Sequence, residues 1–151
     1  MTARMVRAGV IGGIVGGIVL LAFLVGAGIA TSKAPPLTIL TGLLQFSAEW
    51  ALGKAALASP SYVWVGVLVH FGSSIAWGIA YVYVARQRPQ LIEHPFISGV
   101  LYGLIVWIGT QLVLVTVGLF KAPDPNEAET ELFAYCLFFG IPLGLTVAKL
   151  A

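Results

Sequence analysis

At 151 residues, with 59% hydrophobic and only 9% charged side chains, the chain carries far less charge than the roughly 25% of an ordinary soluble domain. Its mean hydropathy of +0.98 and its long uncharged runs exclude a soluble globular protein and point to an all-α integral membrane protein built as one bundle. The net charge of +2, from 8 Lys and Arg against 6 Asp and Glu, includes no basic block, which argues against nucleic acid as a partner.

Four stretches can cross a hydrocarbon core of about 30 Å at about 1.5 Å per residue: residues 8–30, 62–85, 96–120 and 132–148. Arg4 and Arg7 precede the first, and Gly28-Ile29-Ala30 closes it, a layout that a cleaved signal peptide shares. The apolar stretch is longer than the usual core of about 7 to 15 residues, so it reads as a retained span. Gly9, Gly12, Gly13, Gly16 and Gly17 form overlapping GxxxG pairs on this helix, flattening its surface for a close neighbour. That neighbour is either another span of the same chain or a second copy.

Residues 37–58 lie between Pro35-Pro36 and Ser59-Pro60-Ser61. Leu40, Leu43, Leu44, Ala51 and Leu52 recur at helical spacing, while Gln45, Glu49 and Lys54 break any run long enough to span. The pattern predicts one helix or two short ones, in the interface or dipping into the bundle mouth. Phe46 and Trp50 suit that depth.

An ionisable residue inside a span is costly, and the second span contains one, His70. Ser74, Gly78 and Tyr81 follow along the same stripe. On the third span, which carries its own packing pair Gly99 and Gly103, Gln111 lies at a similar depth to His70, roughly 12 to 14 Å from the span end, next to Thr110. In the fourth span Pro142 cannot donate to the carbonyl of Phe138. These positions predict a polar cluster of His70, Ser74, Thr110 and Gln111, with the Phe138 carbonyl near it. A His70 to Gln111 hydrogen bond would fix helix register. The alternative uses His70 to take up and relay a proton, since imidazole titrates near neutrality.

Other chemistry lacks parts. The second histidine, His94, belongs to a loop roughly 23 Å away in depth, so no haem or metal ligand set forms and no cofactor is expected. Cys136 is alone in an apolar run and reads as a packing residue. Asp124, Glu127, Glu129 and Glu131 read as a solvated loop cluster. With no acid near His70 in its span, Ser73 and Ser74 make no catalytic triad and no enzyme is expected.

Arg4, Arg7, Arg86, Arg88 and Lys149 fall on one side of the four-span layout and Lys33, Lys54 and Lys121 on the other. The positive-inside rule then predicts a multi-pass protein of the bacterial cytoplasmic membrane with both termini cytoplasmic.

The glycine-rich first span, Pro35-Pro36, the amphipathic loop, His70-x-x-x-Ser74, the third helix PFISGVLYGLIVWIGTQLVL, then Gly118-Leu119-Phe120 and Pro123 together resemble the YagU-like family of bacterial inner-membrane proteins. The resemblance implies a helical membrane protein of unassigned activity, with at least one member linked to survival in acid. The chain departs from that pattern in its shorter first loop, in Tyr135 and Cys136 where a polar histidine is expected, and in its minimal tail. Three readings of function follow. One is a non-enzymatic membrane protein linked to acid or envelope stress; another is an oligomeric channel or transporter with a proton-sensitive site at His70. The third is an accessory subunit that joins a larger complex through its glycine faces.

Overall fold

The computed structural model describes residues 2–119 and 123–151, apart from the side chain of Glu127. The described residues are helical throughout, with no strand: α1 (Ala3–Ser32), α2 (Pro36–Leu52), short 3₁₀ turns at Gly53–Ala58 and Pro60–Tyr62, α3 (Val63–Ala85), α4 (Gln90–Glu93), α5 (Pro95–Thr116), α6 (Pro125–Ala134), a π-helical stretch Tyr135–Gly140, and α7 (Ile141–Leu150). Four of these helices are long and apolar enough to cross a membrane: Ala3–Ser32, Pro60–Ala85, Pro95–Thr116 and Ala128–Leu150.

Local chemistry sets the boundaries. Thr2 caps α1 by accepting from the Met5 N–H, and Lys33 closes it in the left-handed region at φ 56°. Prolines then open helix after helix: Pro36, Pro60, Pro95 and Pro125 each occupy a first position, where the missing N–H costs nothing and the fixed φ is already helical. Asp124 precedes the last of these and its carboxylate accepts from the Asn126 N–H at 2.9 Å. Pro142 is the second residue of α7, two positions past the π-helical stretch, whose wider turn makes room for a ring that would clash with the carbonyl four residues back.

The first helix runs wider than its expected 8–30, and two further boundaries change. α5 ends at Thr116, followed by a turn with Gly118 at φ 72°, so the third span stops short of its predicted end; Phe120 and Lys121 lie outside the described residues. The helix that carries the fourth span begins at Pro125, well before the expected start at 132, because it starts from the Asp124 cap and runs unbroken into the apolar stretch.

Packing is organised around α1, which lies between α3 on one side and the α6–α7 helix on the other, with α5 beyond the latter and α2 folded back along α3. The glycines permit this. A Cβ at Gly9 would stand 2.8 Å from the Gly78 carbonyl oxygen, one at Gly13 would stand 2.8 Å from Ile75 Cα, and Gly17 faces the Ser74 side chain. One turn around, Gly12 and Gly16 face Leu143 and Phe139. A second seam joins α5 to the last helix, where Gly99 and Gly103 meet the backbone at Gly140, Tyr135 and Cys136. The glycine faces are therefore occupied by helices of the same chain, and dispersion between closely approaching backbones holds them.

α3 and α5 meet differently, through long aromatic side chains. Tyr102 donates to the Trp77 carbonyl at 2.7 Å, its ring packs edge-on against Tyr81, and the Trp77 ring covers Gly109. Tyr81, 1% exposed, donates to the Leu91 carbonyl and lies 3.0 Å from the Ser98 hydroxyl, tying the α4 turn to both spans. Arg4 Nε donates to the Leu150 carbonyl at 3.0 Å, so both termini share one end of the bundle. The other end carries α2. Outward-facing apolar residues such as Leu68, Ile97 and Leu112, each more than 60% exposed, suit contact with hydrocarbon.

Candidate functional site

Because α3 and α5 are held apart by rings rather than pressed together, space remains between them toward the α2 end. It forms a cavity of about 340 Å³ walled by all four spans and by α2. Leu20, Leu24, Val106 and Phe139 make much of its wall, and a few polar side chains from α2, α3, α5 and α6 reach it.

His70, Ser74, Thr110 and Gln111 all line this cavity. They do not bond to one another in the predicted way. His70 Nε2 lies 3.0 Å from the Gly17 carbonyl oxygen; a carbonyl only accepts, so that nitrogen carries a proton and Nδ1 is the ring atom left for the cavity. The contact spans α1 to α3 at the glycine seam, where the absence of a side chain at Gly17 exposes its carbonyl. Ser73 and Ser74 both donate to the His70 carbonyl, at 2.9 and 2.8 Å. Phe138 is not part of the lining; its ring stacks on Phe23 with centroids 3.9 Å apart.

The predicted His70 to Gln111 bond is replaced by a different pairing. Gln111 Nε2 donates to Glu131 Oε2, and Trp107 Nε1 donates to the same oxygen at 3.2 Å. Glu131 therefore does not belong to a solvated loop cluster. Asp124 and Glu129 are exposed as expected, and the Glu127 side chain lies outside the described residues, but Glu131 is half-buried and lines the cavity. The reason is the early start of the helix: Glu131 lies nearly two turns beyond Pro125 and shares a face with Ala134, Tyr135 and Phe139. The Asp124-Pro125 capping signal was the clue available in the sequence.

An acid thus does share the cavity with His70 and the two serines. Its Oε2 accepts from Trp107 and Gln111, and the serine protons are directed to a backbone carbonyl. Among the described residues, the hydrogen bonds of Ser73, Ser74 and His70 run to backbone carbonyls and not from Ser to His to acid.

α2 contributes Phe46, Ser47 and Trp50 to the cavity. Leu44 and Ala48 anchor it, and Gly66 of α3 lies directly under the Leu44 carbonyl. Ser47 donates to the Leu43 carbonyl within the helix. Trp50 Nε1 is buried without a hydrogen-bond partner among the described residues. A buried N–H left unpaired is destabilising. Among the described residues, no group of three His, Cys, Asp or Glu gathers to hold a metal ion. His94 lies at the start of α5, where its carbonyl accepts from Ser98.

The family model of a family of unknown function, DUF6789, matches residues 3–151. No curated protein and no solved structure matches, so the YagU-like resemblance stays a resemblance.

Proposed function

The chain belongs to this family of unknown function, and we propose that it is a non-enzymatic membrane protein that binds a small amphiphile in the cavity between its spans. The observation that carries the reading is the cavity of about 340 Å³, within the range of about 300 to 1,000 Å³ of ligand pockets and, like them, mostly apolar with a few convergent polar groups. Polar side chains at membrane depth are tolerated when they face protein or a lined cavity. Here His70, Gln111, Glu131 and Trp50 come from four different helices to one place. Among the described residues the serines beside His70 donate to its backbone carbonyl rather than to its ring, which supports binding over catalysis.

The excess of Lys and Arg at the terminus-bearing end supports a bacterial cytoplasmic membrane location with both termini cytoplasmic. The cavity then belongs to the outer half of the bilayer, within reach of a molecule that partitions into that leaflet.

The test is tryptophan fluorescence in phosphatidylcholine nanodiscs, titrated with a decanol that carries bromine at its far end. Trp64, on the exposed surface, is first replaced by Phe to remove a lipid-facing signal. Saturable quenching is expected in this background. Ser47→Phe and Ser73→Phe, which fill the cavity from α2 and α3, should each abolish the saturable part while helical content stays intact. Quenching that rises without saturation, equally in all three proteins, would overturn the proposal.

A further inference from the structure

A second cluster of polar groups lies at the opposite end of the bundle from the cavity, where α1 begins and α7 ends. Gly12 and Gly16 let Leu143 and Phe139 come close to α1, a Cβ at Gly12 falling 2.8 Å from Leu143 Cδ1, so the two helix ends lie side by side. Arg4 Nε donates to the Leu150 carbonyl at 3.0 Å, which fixes the guanidinium across the junction. A cleft forms there, lined by Ala3, Arg4, Arg7, Lys149 and Leu150. Three cations thus share one opening, and no Asp or Glu lines it among the described residues. Arg7 and Lys149 are exposed and have neither a hydrogen bond nor an ion pair with any described residue.

This grouping is unfavourable without an anion. Like charges repel at close range, and α1 has no acidic residue in its first turn, so Arg4 and Arg7 stand at the positive end of its dipole. A phosphate offsets both effects, and the planar guanidinium fork matches its oxygens. The surroundings say how that phosphate is carried. Along α1, Arg7 is followed on the same face by Ile11, Ile14 and Ile18, none of them buried. On α7, Leu145 is exposed one turn before Lys149. The cations therefore stand where two outward apolar stripes end, an arrangement that suits a charged headgroup with its acyl chains. We infer that this cleft binds the phosphate of an anionic phospholipid, with Arg4, Arg7 and Lys149 on the phosphate and the acyl chains along the isoleucines of α1 and Leu145. The site is separate from the cavity and independent of what the cavity holds.

Native mass spectrometry of the detergent-solubilised protein, extended beyond Ala151 by a neutral peptide tag so that no terminal carboxylate competes at the cleft, tests this. The probes are dioctanoyl phosphatidylglycerol, dioctanoyl phosphatidylcholine and glycerol phosphate. At about fivefold per engaged cation, phosphatidylglycerol should bind at least about tenfold more tightly than phosphatidylcholine. Arg7→Gln/Lys149→Gln should remove most of that preference with helical content unchanged. The single variants, each expected to lose about fivefold, give the same reading independently. Arg86→Gln/Arg88→Gln removes as much charge from residues that do not line the cleft and should keep the preference. Glycerol phosphate at equal concentration should not displace the lipid.

Equal binding of the two lipids, or a preference that survives Arg7→Gln/Lys149→Gln, would overturn the assignment. Equal losses in the two double variants would also overturn it, by showing attraction to the whole charged end rather than to the cleft. Displacement by glycerol phosphate would overturn the lipid as the source and assign the cleft to a soluble phosphate.

Discussion

The α1–α3 seam makes a quantitative prediction at Gly13. A Cβ there would stand 2.8 Å from Ile75 Cα and closer still to the Ser74 carbonyl, whereas ordinary van der Waals contact begins at 3.4 Å. The opposing atoms are backbone, so no rotamer change relieves the overlap, and the two helices must part by about 0.6 Å or more. Overpacking of this kind costs about 1 to 3 kcal/mol. Gly26 is the control: it lies in the same helix with nothing within 4 Å of its added Cβ. Alanine there should stabilise the protein by about 0.5 to 1 kcal/mol, through helix propensity alone. Reversible unfolding in mixed micelles of increasing sodium dodecyl sulfate fraction would measure both. The difference between Gly13→Ala and Gly26→Ala should be at least about 1.5 kcal/mol, the sum of the two opposing effects at their lower limits. Equal stabilities would refute the proposed backbone contact between α1 and α3, and with it the exposure of the Gly17 carbonyl to His70.

Other substitutions test the polar contacts. Glu131→Leu removes the acceptor of both Trp107 and Gln111 and should cost about 1 to 3 kcal/mol or more, while Glu131→Gln, which keeps a carbonyl oxygen, should cost clearly less in the same unfolding assay. Tyr81→Phe deletes a buried hydroxyl that donates to Leu91; Ser98 still reaches that carbonyl at 2.7 Å, so the expected loss is modest, about 0.5 to 1.5 kcal/mol. Asp124→Ala removes the cap on Asn126 and should cost about 1 kcal/mol. Because helix ends open locally, its signature should be faster amide exchange confined to the first turn of α6.

Much of the architecture was legible in the chain. Span number follows from solvent physics, since only an apolar run of about 20 residues closes its own hydrogen bonds across hydrocarbon. Helix starts at Pro36, Pro60 and Pro95, each within two residues of an expected edge, follow from the ring's fixed φ; the start at Pro125 was missed. The glycine spacing on α1 marked it as a close-packing helix, and the bundle uses two of its faces.

His70, Thr110 and Gln111 were expected at one level, and all three line one cavity. Depth and face are properties of a single helix, given by about 1.5 Å and 100° per residue. Pairing is a property of two helices, and it depends on neighbour order and rotation. Hence only the tertiary structure turns His70 toward Gly17 rather than Gln111, and only it brings α2 over the mouth so that the Trp50 N–H is buried. Glu131 lies between these cases. Its capping signal was local, but its meaning depended on the helix from Asp124 continuing into the bundle and turning that carboxylate toward Trp107 and Gln111.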